Sequence, residues 1–317
     1  MRALKWLAVL TAVGMFFVVT GGALVTQTDS GLGCGKEWPL CNGKLVPDLT
    51  LESLIEYSHR AVSGIVGILV VLLAILVFRK LKDAREAKTY AVIALFFTSL
   101  QAILGALAVI WRQSSAVLAL HFGFSLLAFA GSLLLAIRVW QLVTPTTRLP
   151  AYDRAISVGL RNFVWLIAGY TYIVIYFGAY VRHTNSMGGC MGWPLCNGEV
   201  IPQLSGATGV VFVHRLAAAI LFVLILCMYI ITRTRYKANR ELTVAASFVM
   251  LLVLMQVLSG AWVTFSITND QVHIFATLLH TSIITGFFGA LCYLVALVSL
   301  NGRALAEKIQ GKGGSCD

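Results

Sequence analysis

Four histidines, His59, His121, His214 and His280, each sit inside a long apolar stretch of the 317-residue chain. Ionisable side chains in such surroundings are costly and are ordinarily kept for a task. They also come in register. His59 and His214 are 155 residues apart and are followed by Arg60 and Arg215; His121 and His280 repeat the pattern with four extra residues inserted. Each half of the chain therefore offers two imidazoles on separate helices, the donor set of a bis-histidine metal site. A plain hydrogen-bonding role suits a lone histidine better than duplicated pairs. Zinc wants three or four ligands, usually with cysteine or carboxylate among them. Two histidines from facing helices in an apolar bundle fit six-coordinate haem iron. The neighbouring arginines could grip haem propionates through a planar fork, or snorkel to the membrane surface; the two uses are compatible.

Glu56 stands three residues before His59, and the matching position before His214 is Val211. That spacing puts the carboxyl on nearly the same helical face as His59. It is expected at the edge of an apolar span, with the other twelve acids in loops or tails. The carboxyl could be a hydrated group favoured at a helix start, or an acid or base beside the first metal site. Of the seven cysteines, Cys34 and Cys41 flank one Trp-Pro segment and Cys190 and Cys196 its copy. In an oxidising compartment the duplication favours local disulfides Cys34–Cys41 and Cys190–Cys196. Each could be a structural clip or a redox-active pair. Cys227 and Cys292 read as small core residues, Cys316 as part of the tail, and His183 and His273 as surface or interfacial histidines.

The elements that position these groups are membrane spans. The chain is 59% hydrophobic and only 12% charged, against about 25% charged in soluble domains, and its mean hydropathy is +0.86. Apolar runs fall at 4–25, 57–78, 89–111, 117–138, 162–181, 210–232, 242–265 and 272–299, and all six prolines lie outside them. About 20 apolar residues suffice to cross a bilayer as a helix. The net charge of +11 is no nucleic-acid signal, because 18 of the 24 Lys and Arg fall on one side of such a topology. The bias puts both termini in the cytoplasm and the cysteine loops outside. The first run is too long for a typical signal-peptide core and has a counterpart at 162–181, so it reads as a span.

Residues 37–43, EWPLCNG, return as GWPLCNG at 192–198, and the same 155-residue offset carries Pro47 to Pro202, Gln101 to Gln256 and Gly105 to Gly260. Each half holds four spans, an even number, so the halves share one orientation. The expected fold is an all-α membrane protein of eight transmembrane helices in two pseudo-symmetric four-helix bundles. Its parts are a first bundle at 1–140, a cytoplasmic linker at 141–161, a second bundle at 162–300 and a cytoplasmic tail at 301–317.

These residues carry a family resemblance. GGALVTQT at 21–28, the paired WPLC loops, Glu56-x-x-His59-Arg60, Gln101-x-x-x-Gly105 with His121, GAYVRHT at 178–184, His214-Arg215 and His280 together resemble the bacterial haem A synthases with a cysteine pair in each half. The match covers essentially the whole chain. The resemblance implies a cell-membrane enzyme that oxidises the C8 methyl of haem O to a formyl group. It implies haem O between His59 and His121, an essential carboxylate at Glu56, and a haem b cofactor between His214 and His280. The first cysteine pair would matter for activity, and a haem O-producing farnesyltransferase is an expected partner. The competing readings are a dihaem cytochrome that only moves electrons and a membrane thiol-disulfide oxidoreductase; a transporter fits less well, since the spans contain no proline.

Overall fold

The computed structural model describes the chain except for residues 39, 45, 48, 112–113, 145–155 and 313–317, with the backbone alone described for 301–312. Its helices are α1 (Arg2–Gln27), α2 (Leu51–Lys80), α3 (Arg85–Ile110), α4 (Ser115–Val143), α5 (Val158–His183), α6 (Gly206–Arg235), α7 (Arg240–Phe265) and α8 (Asp270–Lys312). All eight are long and apolar enough to span a bilayer, and their outward faces carry large apolar side chains such as Phe17, Ile68, Phe96, Trp165 and Phe248. The protein is a multi-pass membrane protein.

Polar caps start several helices outside the apolar stretches. Thr50 accepts the Ser53 N–H at 3.3 Å and starts α2 six residues before the apolar run, with Glu52 in its first turn. Ser114, Ser157 and Asn239 cap α4, α5 and α7 in the same way. This corrects two expectations. Glu56 lies in the second turn of α2 and not at a boundary, and Glu52, Glu86, Glu241 and Asp270 occupy first turns of helices and not loops. Negative charge is favourable there. The linker placed at 141–161 is entered by the end of α4 and left by the start of α5; its middle lies outside the described residues, as does Cys316 of the tail.

In the first half, α1 packs on α2 and α4, and α3 packs on the same two, so α2 and α4 stand diagonally. In the second half α5 and α7 flank α6 and α8 in the same manner. The halves meet where α4 touches α5 and α8, and where α1 touches α8. Leu4, Leu73, Val77, Leu135 and Val139 fill the first half, and Ile167, Leu221, Ile225, Met228 and Leu291 the second. A third cluster runs from Met15, Leu126 and Phe129 across to Ile175 and Phe288. Without a hydrophobic drive inside lipid, close approach comes from small residues. A Cβ at Gly131 of α4 would lie 2.9 Å from the Ala94 backbone nitrogen of α3, and one at Gly289 of α8 2.7 Å from Leu133 of α4. Polar contacts tie the halves at the cysteine-loop end: Arg182 donates to the Thr26 carbonyl at 2.5 Å, and Ser115 to the His183 carbonyl at 2.7 Å.

Gly131→Leu is therefore expected to destabilise the protein by about 1–3 kcal/mol, read as a lower Tm in detergent. Gly64→Ala, whose Cβ meets nothing within 4 Å, should leave Tm unchanged or slightly raised.

Candidate functional site

The two cysteine loops are built on one plan. Cys34–Cys41 and Cys190–Cys196 are disulfide-bonded. Asn42 and Asn197 adopt φ of 50° and 55°, each followed by a glycine at positive φ, and turn the chain so that Cys41 pairs with Lys44 and Cys196 with Glu199. The Gly33 carbonyl accepts from Ser53 Oγ at 2.5 Å, and the Gly189 carbonyl from Thr208 Oγ1 at 2.8 Å. Only glycine fits at these two contacts, since a Cβ would come within 2.5 Å of the Glu52 carbonyl and 2.4 Å of the Ala207 carbonyl carbon. The loop is thereby seated on the first turn of the helix that carries the first histidine of each half.

The repeat-matched arginines Arg60 and Arg215 hold those loops. Arg60 Nη1 donates to the Glu37 and Leu40 carbonyls at 2.9 and 2.8 Å. Arg215 donates to the Gly192 and Cys190 carbonyls at 2.8 and 2.9 Å, and to Thr264 Oγ1 at 2.9 Å. None of these bonds was legible beforehand, because the partners are distant in sequence. Arg60 Nε stays buried without a hydrogen-bond partner. Glu56 is 3% exposed. Its Oε2 accepts the Cys34 N–H at 2.8 Å and its Oε1 pairs with Arg60 at 2.5 Å. The second half has buried Val211 at the matching position and uses Arg215 alone. The cap of α2 is Thr50, so Glu56 is no capping group; it joins the first disulfide loop to the helical turn above His59.

All four repeat histidines lie against glycines of the preceding helix. A Cβ at Gly21 or Gly22 of α1 would come within 3.2 or 3.3 Å of the His59 ring, and one at Gly178 of α5 within 2.9 Å of His214. Gly105 of α3 stands 3.8 Å from His121 on the same measure, and Gly260 of α7 3.2 Å from His280. Imidazoles from diagonal helices thus share a level with the smallest possible side chain on the walls between them. The two rings of each half are within electrostatic reach of one another. His59 Nδ1, His121 Nδ1, His214 Nδ1 and both amide atoms of Gln101 are buried with no hydrogen-bond partner, although buried polar groups are nearly always satisfied.

Among the described residues no three His, Cys, Asp or Glu side chains converge as a metal site. A pair of imidazoles suits a metal that brings its own equatorial donors, and glycine walls suit a flat ligand, so these residues fit haem. The remaining histidines, His183 and His273, stand apart from these pairs in the repeat. His273 bonds Ser266 Oγ through Nδ1 at 3.1 Å, and both it and His183 are half-buried. Cys227 is exposed on the outward face of α6 beside Val223 and Ile230, not in the core; Cys292 is half-buried.

Fold and site define a class: polytopic membrane proteins whose paired imidazoles suit haem. The model of the family described as "Cytochrome oxidase assembly protein" matches residues 5–53 and 48–292. A "Heme A synthase" of Shouchella clausii is 43% identical over 300 residues, spanning 94% of this chain and 98% of that one. Those of Halalkalibacterium halodurans and Bacillus licheniformis are 40% and 41% identical over 95% and 94% of this chain, and 98% and 97% of their own. The chain belongs to the haem A synthase family.

The glycine contacts generate a prediction. Gly178→Val should displace the His214 ring and remove the haem absorbance of the second half, measured by pyridine haemochrome on protein that still migrates as a monodisperse peak. Unchanged haem content would refute the cradle.

Proposed function

We propose that the chain is the oxidoreductase that converts the C8 methyl of haem O to the formyl of haem A, with the two halves in different roles. The single observation that carries this is the asymmetry of the repeat: both halves present a diagonal imidazole pair over glycines, and only the first sets a buried carboxylate one turn away. His59 and His121 would hold the substrate haem O, and His214 and His280 a haem b cofactor. Bound haem supplies the redox chemistry; the protein supplies position, ligands and exclusion of water.

Glu56 is the proton-handling residue in this reading. Its ion pair with Arg60 and its bond to Cys34 fix the carboxylate relative to His59, so a proton leaving the oxidised methyl has an oriented acceptor. Arg60 and Arg215 would pair with the haem propionates, and the buried Nε of Arg60, a donor still to be satisfied, supports this for the first half. Both disulfides are clamped by backbone and side-chain bonds to α2 and α6, which supports a clip that holds each loop over its site. The first half, 1–140, is then the reaction unit and the second, 162–300, the cofactor unit. The positive-inside bias supports cytoplasmic termini and cysteine loops on the extracytoplasmic side of a bacterial cell membrane. A prenyl-bearing, membrane-bound substrate supports a haem O-producing farnesyltransferase as partner.

Expression of the chain with a haem O source, followed by mass analysis of extracted haems, should yield haem A; haem O alone would overturn the assignment and leave the electron-transfer reading. Glu56→Gln keeps an acceptor for the Cys34 N–H and loses the ion pair. Conversion should fall by about 10²–10⁴-fold while haem O stays bound. Wild-type conversion by this variant would remove Glu56 from the chemistry.

A further inference from the structure

His280 is the one histidine of the four whose ring nitrogens both have hydrogen-bond partners, Gln256 and Ser259 of α7. Ser259 of α7 is buried, and its Oγ lies 2.8 Å from His280 Nδ1. The same hydroxyl donates its only proton to the Gln256 carbonyl at 3.0 Å. With that proton on the carbonyl, its oxygen accepts from His280, and the imidazole proton sits on Nδ1. The other side of the ring agrees: the Gln256 side-chain Nε2, a donor only, lies 2.9 Å from His280 Nε2. Both contacts fit a protonated Nδ1 and a lone pair on Nε2.

The first half lacks this device. Gln101, Gly105 and His121 match Gln256, Gly260 and His280, but the position of Ser259 is taken by Leu104. Leucine offers no oxygen, and His121 Nδ1 and both polar atoms of Gln101 are buried without partners. The repeat thus keeps the ligand and its glycine in both halves, and supplies a hydroxyl to orient the ligand in one.

We propose that Ser259 is a positioning residue for the haem of the second half: it holds the His280 proton on Nδ1, so that Nε2 is left to the iron once the Gln256 amide turns away from it, and makes that site retentive, while Leu104 leaves the first site exchangeable. This rests on the haem assignment above. A ligating imidazole that donates its other N–H to an acceptor is a stronger base toward iron. Such a bond favours the ferric state and lowers the haem potential. A retentive site suits a cofactor, and an exchangeable one suits a substrate that must leave as product.

The test uses full-length protein loaded with haem b, with potentiometric titration and haem transfer to apomyoglobin as readouts. Ser259→Ala should raise the midpoint potential of the second-half haem and speed its loss about 10-fold, the lower end of the roughly 10–100-fold range for such partners. Ser259→Thr keeps the oxygen and should behave as wild type. Ser266→Ala removes an equivalent hydroxyl from His273 and should change neither readout. Leu104→Ser supplies the missing oxygen in the first half and should slow haem release there, a gain that does not depend on the alanine variant folding. Wild-type potential and release in Ser259→Ala, or no slowing in Leu104→Ser, would overturn the inference alone, provided His280→Ala abolishes the bis-imidazole spectrum. Retention of that spectrum in His280→Ala would overturn the haem assignment as well.

Discussion

An imidazole inside a membrane protein has two polar nitrogens and little nearby to satisfy them. This chain accepts that cost four times, on α2, α4, α6 and α8, and then clears space beside each ring with a glycine on the preceding helix. Three of the four rings keep a buried nitrogen without a protein partner. Such groups are ordinarily expensive enough to be removed. The rest of the fold supports them: each pair comes from diagonal helices, and small residues on α4 and α8 let neighbouring helices approach closely.

The duplication supplies a common scaffold, and the places where it breaks supply the division of labour. Glu56 against Val211 gives one half a carboxylate tied to its disulfide loop. Ser259 against Leu104 gives the other an oriented ligand. Arg60 and Arg215 perform the same loop-holding task in both, but Arg60 shares its guanidinium with Glu56 while Arg215 uses Thr264. One element therefore keeps its backbone role across the repeat while the chemistry beside it diverges.

Much of this was legible in the sequence. Apolar runs, proline placement and charge bias mark the eight spans because lipid imposes internal backbone hydrogen bonding. The internal repeat locates the histidines, the disulfides and the asymmetric Glu56. What was missed depends on contacts between distant residues. The loop-holding bonds of the arginines were not legible, because their partners are carbonyls some 20 residues away. Glu56 read as a span edge because Thr50 caps α2 earlier than the apolar run starts. Ser259 carried no signal of its own, and comparison with Leu104 at the matching position would have found it. Cys227 read as core because hydropathy does not distinguish a face turned to lipid from one turned to protein.

The most direct test of the central claim is a cryo-EM map of the full chain loaded with haem b and haem O, at a resolution that places iron. The account predicts two irons, one bound by His59 and His121 and one by His214 and His280, each porphyrin passing beside the glycines of the flanking helices. A porphyrin bound elsewhere, or imidazoles of a pair turned away from the iron, would contradict it.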